Sequence, residues 1–169
     1  MICPYCGFSN IEGADHCERC GQALTDMHLP SPSSKVERSL LRDRVDVLNP
    51  KKPVTVSPDT PVSQVLQVLV ENRIGCVIVT DAGRTVGIFS ERDALLKVNT
   101  ACGELADQPV SQFMTPNPQV LNSDAKIVFA VRAMSQGSYR HVPVVDYANR
   151  LTGIVSARDI LRYLTARMQ

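Results

Sequence analysis

Cys3, Cys6, Cys17 and Cys20 are the residues of this chain most plainly spaced for chemistry. They form two Cys-x-x-Cys pairs, each followed by glycine (Gly7, Gly21), with ten residues between the pairs. Thiols three positions apart on a tight turn converge on one cation, and the following glycine gives the backbone the freedom that turn requires. Two such turns face to face make a tetrahedral cage of four thiolates, the geometry of structural zinc. The spacing predicts a metal-folded module over residues 1–22, too small to bury a core of its own. A redox dithiol is not expected, because neither pair has the strand-and-helix setting it needs. Disulfides would need an oxidising compartment, and the chain enters the first pair without an apolar leader, so a cytoplasmic protein is expected. His16, beside Cys17, reads as a surface residue, since four thiolates complete the shell. Cys76 and Cys102 read as ordinary free thiols.

A second constellation occurs twice. Gly87-Ile88-Phe89-Ser90-Glu91-Arg92-Asp93 and Gly153-Ile154-Val155-Ser156-Ala157-Arg158-Asp159 each run off an apolar strand and open a helix. A strand end beside a helix N-terminus offers unpaired N–H groups and a positive dipole end to oxygen-rich ligands. An aspartate one turn into the helix can accept hydrogen bonds from a vicinal diol, as acidic residues do from ribose in dinucleotide folds. Ser-x-x-Asp is equally a plain capping arrangement, with serine as N-cap and the acid at the third helical position. Recurrence in phase favours a ligand role, and the two roles are compatible.

The elements that must position these residues repeat as well. With a shift of 65, Pro53 falls on Pro118, Asp59 on Asp124, Val62 on Ile127, Leu66 on Val131, Leu69 on Met134 and Asp81 on Asp146. At a shift of 66, Gly87, Ser90 and Asp93 fall on Gly153, Ser156 and Asp159. This is a tandem duplication. Each copy predicts a short extended piece (54–56; 119–121) and a helix whose apolar residues recur at i, i+3, i+4. A hairpin (76–80 with 85–89; 142–145 with 151–155) and a closing helix complete the copy. Thr60 is expected to cap the first of these helices, with Pro61 in its first turn. Pro143 inside a strand suggests an edge position. Residues 23–42 read as a linker with a breaker-rich run, Pro30-Ser31-Pro32-Ser33-Ser34, and a short helix from Lys35.

The order β-α-β-β-α in two copies, with Phe113-Met114-Thr115-Pro116 opening the second, resembles the cystathionine-β-synthase (CBS) domain pair, or Bateman module. Cys-Pro-x-Cys-Gly followed by Gly-Ala-x-x-Cys-x-x-Cys-Gly resembles the short zinc ribbons at the ends of many prokaryotic chains. The resemblance implies an α/β fold with pseudo-twofold symmetry, CBS repeats at 43–105 and 106–169, and two clefts for an adenosine-containing ligand. The implied ligand is AMP, ADP, ATP or S-adenosylmethionine. In such modules the aspartate binds ribose, so Asp93 and Asp159 would hold the sugar and Ser90 and Ser156 would assist. Arg140 and His141 stand where the family often places a basic pair for phosphate, and Arg92 and Arg158 are further cationic candidates. The aligned Gly75 and Cys76 of the first copy carry no charge, so the copies are chemically unequal. Flattened homodimers are also implied.

Composition narrows the function classes. The chain has 169 residues, 44% hydrophobic content and a formal net charge of +1. That charge gives no reason for nonspecific attraction to nucleic acid or acidic membranes. Glu12, Asp15 and Glu18 outnumber Arg19 in the first twenty-one residues, which disfavours a nucleic-acid-reading ribbon. No apolar run is long enough to span a bilayer. The expectation is a soluble, non-enzymatic regulator that senses a nucleotide and acts on a protein partner. The alternatives are an adaptor whose CBS pair is only a dimerising scaffold, and a nucleic-acid regulator that reads through its ribbon.

Overall fold

A computed structural model of the chain describes residues 1, 3, 8–11, 13–22, 24, 34–99, 102–137 and 139–168. Cys6, Gly7 and residues 25–33 of the expected tether lie outside the described residues. The chain divides into two compact units, residues 52–118 and residues 1–51 with 119–169. Helix α1 (Lys35–Arg42) belongs to the second of these. Ser34 caps it, its hydroxyl accepting the Glu37 N–H at 3.0 Å, and Leu40 packs on that unit's core.

The 52–118 unit holds β1 (Thr55–Val56), α2 (Val62–Asn72), β2 (Cys76–Asp81), β3 (Arg84–Ser90), α3 (Glu91–Asp93), α4 (Cys102–Leu105) and β4 (Thr115–Pro116). Its sheet runs β1-β2-β3-β4, with β1 parallel to β2 and the other pairs antiparallel. Val62, Val65 and Leu69 form the buried stripe of α2, against Val77, Val79, Phe89, Val98, Val110 and Phe113. The start of α2 differs from expectation. Pro61 itself holds the cap position, without a side-chain cap bond, and Thr60 is not the cap. The Val62 and Ser63 N–H groups donate instead to the Gln108 and Ala106 carbonyls at 2.9 and 3.0 Å, so the orphan donors need no hydroxyl. The closing helix also differs. After one α-turn it widens into a π-turn, Ala94–Val98, in which the Asn99 N–H reaches back to the Ala94 carbonyl. Leu95 and Leu96 lie exposed there while Val98 is buried, so the apolar pattern does not sustain a regular amphipathic helix.

The 1–51/119–169 unit carries β5 (Leu121–Asn122), α5 (Ile127–Gly137), β6 (His141–Val145), β7 (Leu151–Ser156) and α6 (Ala157–Thr165). Its sheet runs β5-β6-β7. Leu121, Ile127, Ala130, Val142, Val144, Val155, Ile160 and Tyr163 form the core with Val45 and Leu48. Pro143 is therefore not on an edge, because β6 is the central strand. Its tolerated place has a local reason. In the first repeat the Ile78 N–H donates to the Val54 carbonyl at 2.9 Å, opening the parallel ladder. Pro143 stands opposite Ile154 as Ile78 stands opposite Ile88, and it has no N–H to give. The strand beside it accordingly starts at Leu121 rather than at 119.

Each hairpin is edged by the segment that leads into a repeat. Thr115 pairs with Ile88 and Pro116 with Gly87, while Lys51 forms the matching bridge to Ile154. These edges explain two of the repeated glycines. A Cβ on Gly87 would fall on the Met114 sulfur, and one on Gly153 would meet the Pro50 Cβ at 2.6 Å. At Gly153 the rigid Pro50 ring and the Lys51 backbone lie directly on the strand, whereas at Gly87 the neighbour is the flexible Met114 side chain.

Candidate functional site

Both Ser-x-x-Asp strings form full capping boxes. Ser90 and Ser156 sit at the junction of hairpin and helix, and their hydroxyls accept the Asp93 and Asp159 N–H groups at 3.3 Å. In return Asp93 Oδ2 accepts from the Ser90 N–H at 3.0 Å and hydroxyl at 2.6 Å. Asp159 Oδ2 accepts from the Ser156 N–H at 2.9 Å and hydroxyl at 2.6 Å. The capping role is thus present in both copies, and it fixes one oxygen of each carboxylate while leaving Oδ1 to other partners. Burial does not separate the acids, with Asp93 8% and Asp159 5% exposed.

The partners of Oδ1 do separate them. Asp93 Oδ1 accepts the Thr115 hydroxyl at 3.0 Å and pairs with Lys97 Nζ at 2.7 Å. That ammonium also donates to the Phe113 carbonyl at 2.7 Å and the Met114 carbonyl at 3.2 Å. Burial alone raises the Asp93 carboxyl, but the bonds from Lys97 and Ser90 outweigh it and hold it below the usual carboxylate range. Asp159 Oδ1 meets the Arg162 guanidinium at 3.3 Å, and the Arg162 side chain is 65% exposed. The sequence reading did not single out Lys97. An acid–lysine i,i+4 pair present in one repeat and absent from the other was the available signal, because the matching position is Tyr163.

The flanking residues follow the same division. The Ala157 N–H donates to the Arg140 carbonyl at 2.8 Å and His141 pairs with Ser156 across the hairpin, so both basic residues stand beside the Ser156–Asp159 box. Arg140 and Arg158 are exposed and His141 is half-buried. In the other repeat Gly75 accepts the Glu91 N–H and Cys76 pairs with Ser90, in the same places. Cys76 is a free buried thiol, pushed up to about 12 by burial and secondarily by the Glu91 and Asp93 carboxylates, and so stays protonated. Arg92 is exposed in the first turn after Ser90.

At the N-terminus the sulfurs of Cys3, Cys17 and Cys20 lie within 4.8 Å of one another. Cys3 Sγ and Cys20 Sγ are 3.7 Å apart, far beyond a disulfide bond. Tetrahedral zinc–thiolate bonds of about 2.3 Å place sulfurs roughly 3.8 Å apart, so the three thiols fit one soft cation. Asn10 supports them from behind, its amide donating toward Cys17 Sγ at 3.6 Å while its oxygen accepts the Glu18 N–H at 2.9 Å. Gly21, at φ +70°, closes the turn with its N–H on the Cys17 carbonyl. His16 is not among the described cluster. Among the described residues no helix is long and apolar enough to cross a membrane.

The α6 helix joins the second box to the linker. Near its end, the Tyr163 hydroxyl donates to Asp43 Oδ2 at 2.6 Å, and Arg167 donates to the same oxygen at 2.9 Å while stacking 3.6 Å over the Tyr163 ring. Asp43 is the C-cap residue of α1. The Tyr163 bond leads the effects that hold its carboxyl low, and Tyr163 is raised to about 12 by burial and by this acceptor.

Comparisons with known proteins place the repeats. A model of the CBS domain matches residues 45–99 and 110–166. An uncharacterised 17.7 kDa protein of Acidianus ambivalens is 30% identical over 122 residues, covering 72% of this chain and 73% of its own length. The chain spans no more than 26% of the longer CBS proteins of Arabidopsis thaliana that it also matches. A CBS-domain protein from Agrobacterium tumefaciens is 34% identical with a TM-score of 0.62, over 71% of this chain and 97% of that one. CBSX2, solved in complex with AMP, is 25% identical with a TM-score of 0.63, over 75% and 98%.

Proposed function

The chain belongs to the CBS-domain family, and from that premise we propose that it is a non-catalytic regulator that binds an adenosine-containing ligand at its Ser-x-x-Asp junctions. The observation that carries the reading is the pair of preset carboxylates, each with one oxygen fixed by its own cap and Oδ1 turned to side-chain partners from outside the cap. A carboxylate oriented before binding loses little freedom when a ribose diol arrives, which favours affinity. Ser156 and Asp159 hold the sugar, the start of α6 supplies N–H dipoles, and Arg140, His141 and Arg158 neutralise phosphate. Ser90, Arg92 and Asp93 form the corresponding set in the first repeat. The AMP complex of the similar CBSX2 structure supports an adenine nucleotide as ligand. S-adenosylmethionine, which shares the adenosine, is the competing candidate.

Cys3, Cys17 and Cys20, with Cys6, hold a structural zinc ion whose bonds supply the folding free energy that a segment of about twenty residues cannot obtain from a core. Ligand at the start of α6 biases the Tyr163–Arg167–Asp43 joint, and through α1 the state reaches the ribbon and a protein partner. Such a relay requires a ligand that prefers one arrangement of the joint, since equal affinity for both transmits nothing. A homodimer is the working assembly.

The test is calorimetric titration with AMP, ADP, ATP and S-adenosylmethionine, repeated on Asp159→Ala. Saturable heat from one of them, reduced or lost in the variant, supports the sensor. Silence from all four favours the second reading, an adaptor with a ligand-free CBS scaffold. That reading draws on one observation: both acids already have partners within the protein.

A further inference from the structure

We infer that Lys97 is a built-in occupant of the first repeat's carboxylate, so that one chain takes one nucleotide, at the Asp159 junction. The inference rests on the sensor reading above and narrows it to one repeat.

The two junctions share the capping box and the burial of the acid, so neither property can decide which of them a ligand enters. The competing cation can. Lys97 Nζ lies 2.7 Å from Asp93 Oδ1 and 2.7 Å from the Phe113 carbonyl, with the Met114 carbonyl at 3.2 Å and the Thr115 hydroxyl oxygen at 3.5 Å. An ammonium has three protons to donate, and a carboxylate and two carbonyls suffice to use them. A ribose diol that took Asp93 Oδ1 would have to displace the Thr115 hydroxyl and leave a partly desolvated ammonium without its anion. The Lys97 side chain is 37% exposed, against 65% for Arg162. Arg162 touches Asp159 Oδ1 by a single 3.3 Å contact, and an arginine already that exposed returns to water at little cost when a ligand takes the oxygen.

The lysine is delivered by the π-turn at Ala94–Val98, an irregularity that α6 lacks. Single π-turns recur at functional positions in helices. The counterpart of Lys97 in α6 is Tyr163, whose hydroxyl donates to Asp43. Phosphate chemistry points the same way. Arg140 and His141 flank Ser156, whereas the positions flanking Ser90 are Gly75 and the protonated, buried Cys76. The first junction thus brings its own cation to its own anion, and the two positions matching Arg140 and His141 carry no charge.

Stoichiometry tests the inference on the full zinc-loaded chain, by calorimetric titration with AMP. The wild type is expected to bind about one equivalent per chain and Asp159→Ala none. Lys97→Met, which keeps the aliphatic stem, is expected to bind about two, and Lys97→Met/Asp159→Ala about one. Should the methionine variant fail to fold, Lys97→Gln serves in its place, neutral but still a donor to the Phe113 carbonyl. Two equivalents on the wild type, or binding that survives Asp159→Ala with Lys97 in place, would overturn the inference while leaving the sensor reading intact. One equivalent on a folded Lys97 variant would overturn it also. Absence of binding by the wild type and every variant would remove the sensor reading itself.

Discussion

The two repeats hold the same acid in the same capping box, yet one acid is clamped by a lysine and the other faces an exposed arginine across a single long contact. What distinguishes them is not the motif but what reaches it. In the first repeat the reach comes from Lys97 and from the edging segment at Phe113, Met114 and Thr115. In the second, the matching helix position is the buried Tyr163, whose hydroxyl bonds Asp43, and the basic pair Arg140 and His141 stands on the flank. The repeats share the motif, and the residues around it hold one acid with a lysine and two carbonyls and leave the other beside Arg140 and His141.

The comparison breaks most severely at the core. Phe89 and Val155 occupy matched, fully buried positions beneath the two serines. Phe89→Ala is expected to cost about 3–5 kcal/mol of unfolding free energy and Val155→Ala about 2 kcal/mol, read by urea denaturation. Equal losses would mean that the surroundings of Phe89 collapse onto the larger gap and leave no larger cavity than at Val155. The glycine pair comes next. Gly153→Ala forces a methyl onto the rigid Pro50 ring, at an expected cost of about 1–3 kcal/mol, whereas Gly87→Ala meets the adaptable Met114 side chain and costs less. Thermal unfolding of the two variants side by side would reverse this order if the edging segments were loosely held.

Smaller effects sharpen the contrast at the helices. Tyr163→Phe deletes the hydroxyl that Asp43 accepts, with an expected loss of about 1–2 kcal/mol and no change at the first junction. The smallest is an acid dependence. The Asp93 carboxyl is held below its usual value in the folded chain, so its contribution to stability is present above about pH 4, the unfolded value. It is lost as pH falls through the lower, folded value. Urea midpoints measured from pH 7 to pH 3 should fall less steeply for Lys97→Met than for the wild type. Parallel curves would mean that the 2.7 Å ion pair does not govern this acid.

Much of this was readable from residue order, because apolar alternation, the two glycines and the Ser-x-x-Asp spacing are local patterns with local causes. The hairpins, the α2 and α5 stripes and both capping boxes follow from such patterns. The thiol cluster was legible for the same reason, through Cys3, Cys17 and Cys20. What escaped depends on backbone groups that carry no residue signature. The cap of α2 is replaced by the Gln108 and Ala106 carbonyls, and two of the oxygens around Lys97 are carbonyls sixteen and seventeen residues away. Pro143 misled because the ladder could drop its first bond and start later, so that a central strand tolerates proline.

The most direct measurement is a crystal structure of the zinc-loaded chain with AMP. The account places the ribose hydroxyls within hydrogen-bond distance of Asp159 Oδ1, the phosphate toward Arg140 and His141, and Lys97 still on Asp93. A ribose on Asp93 with Lys97 swung away, or AMP bound far from both carboxylates, would contradict it.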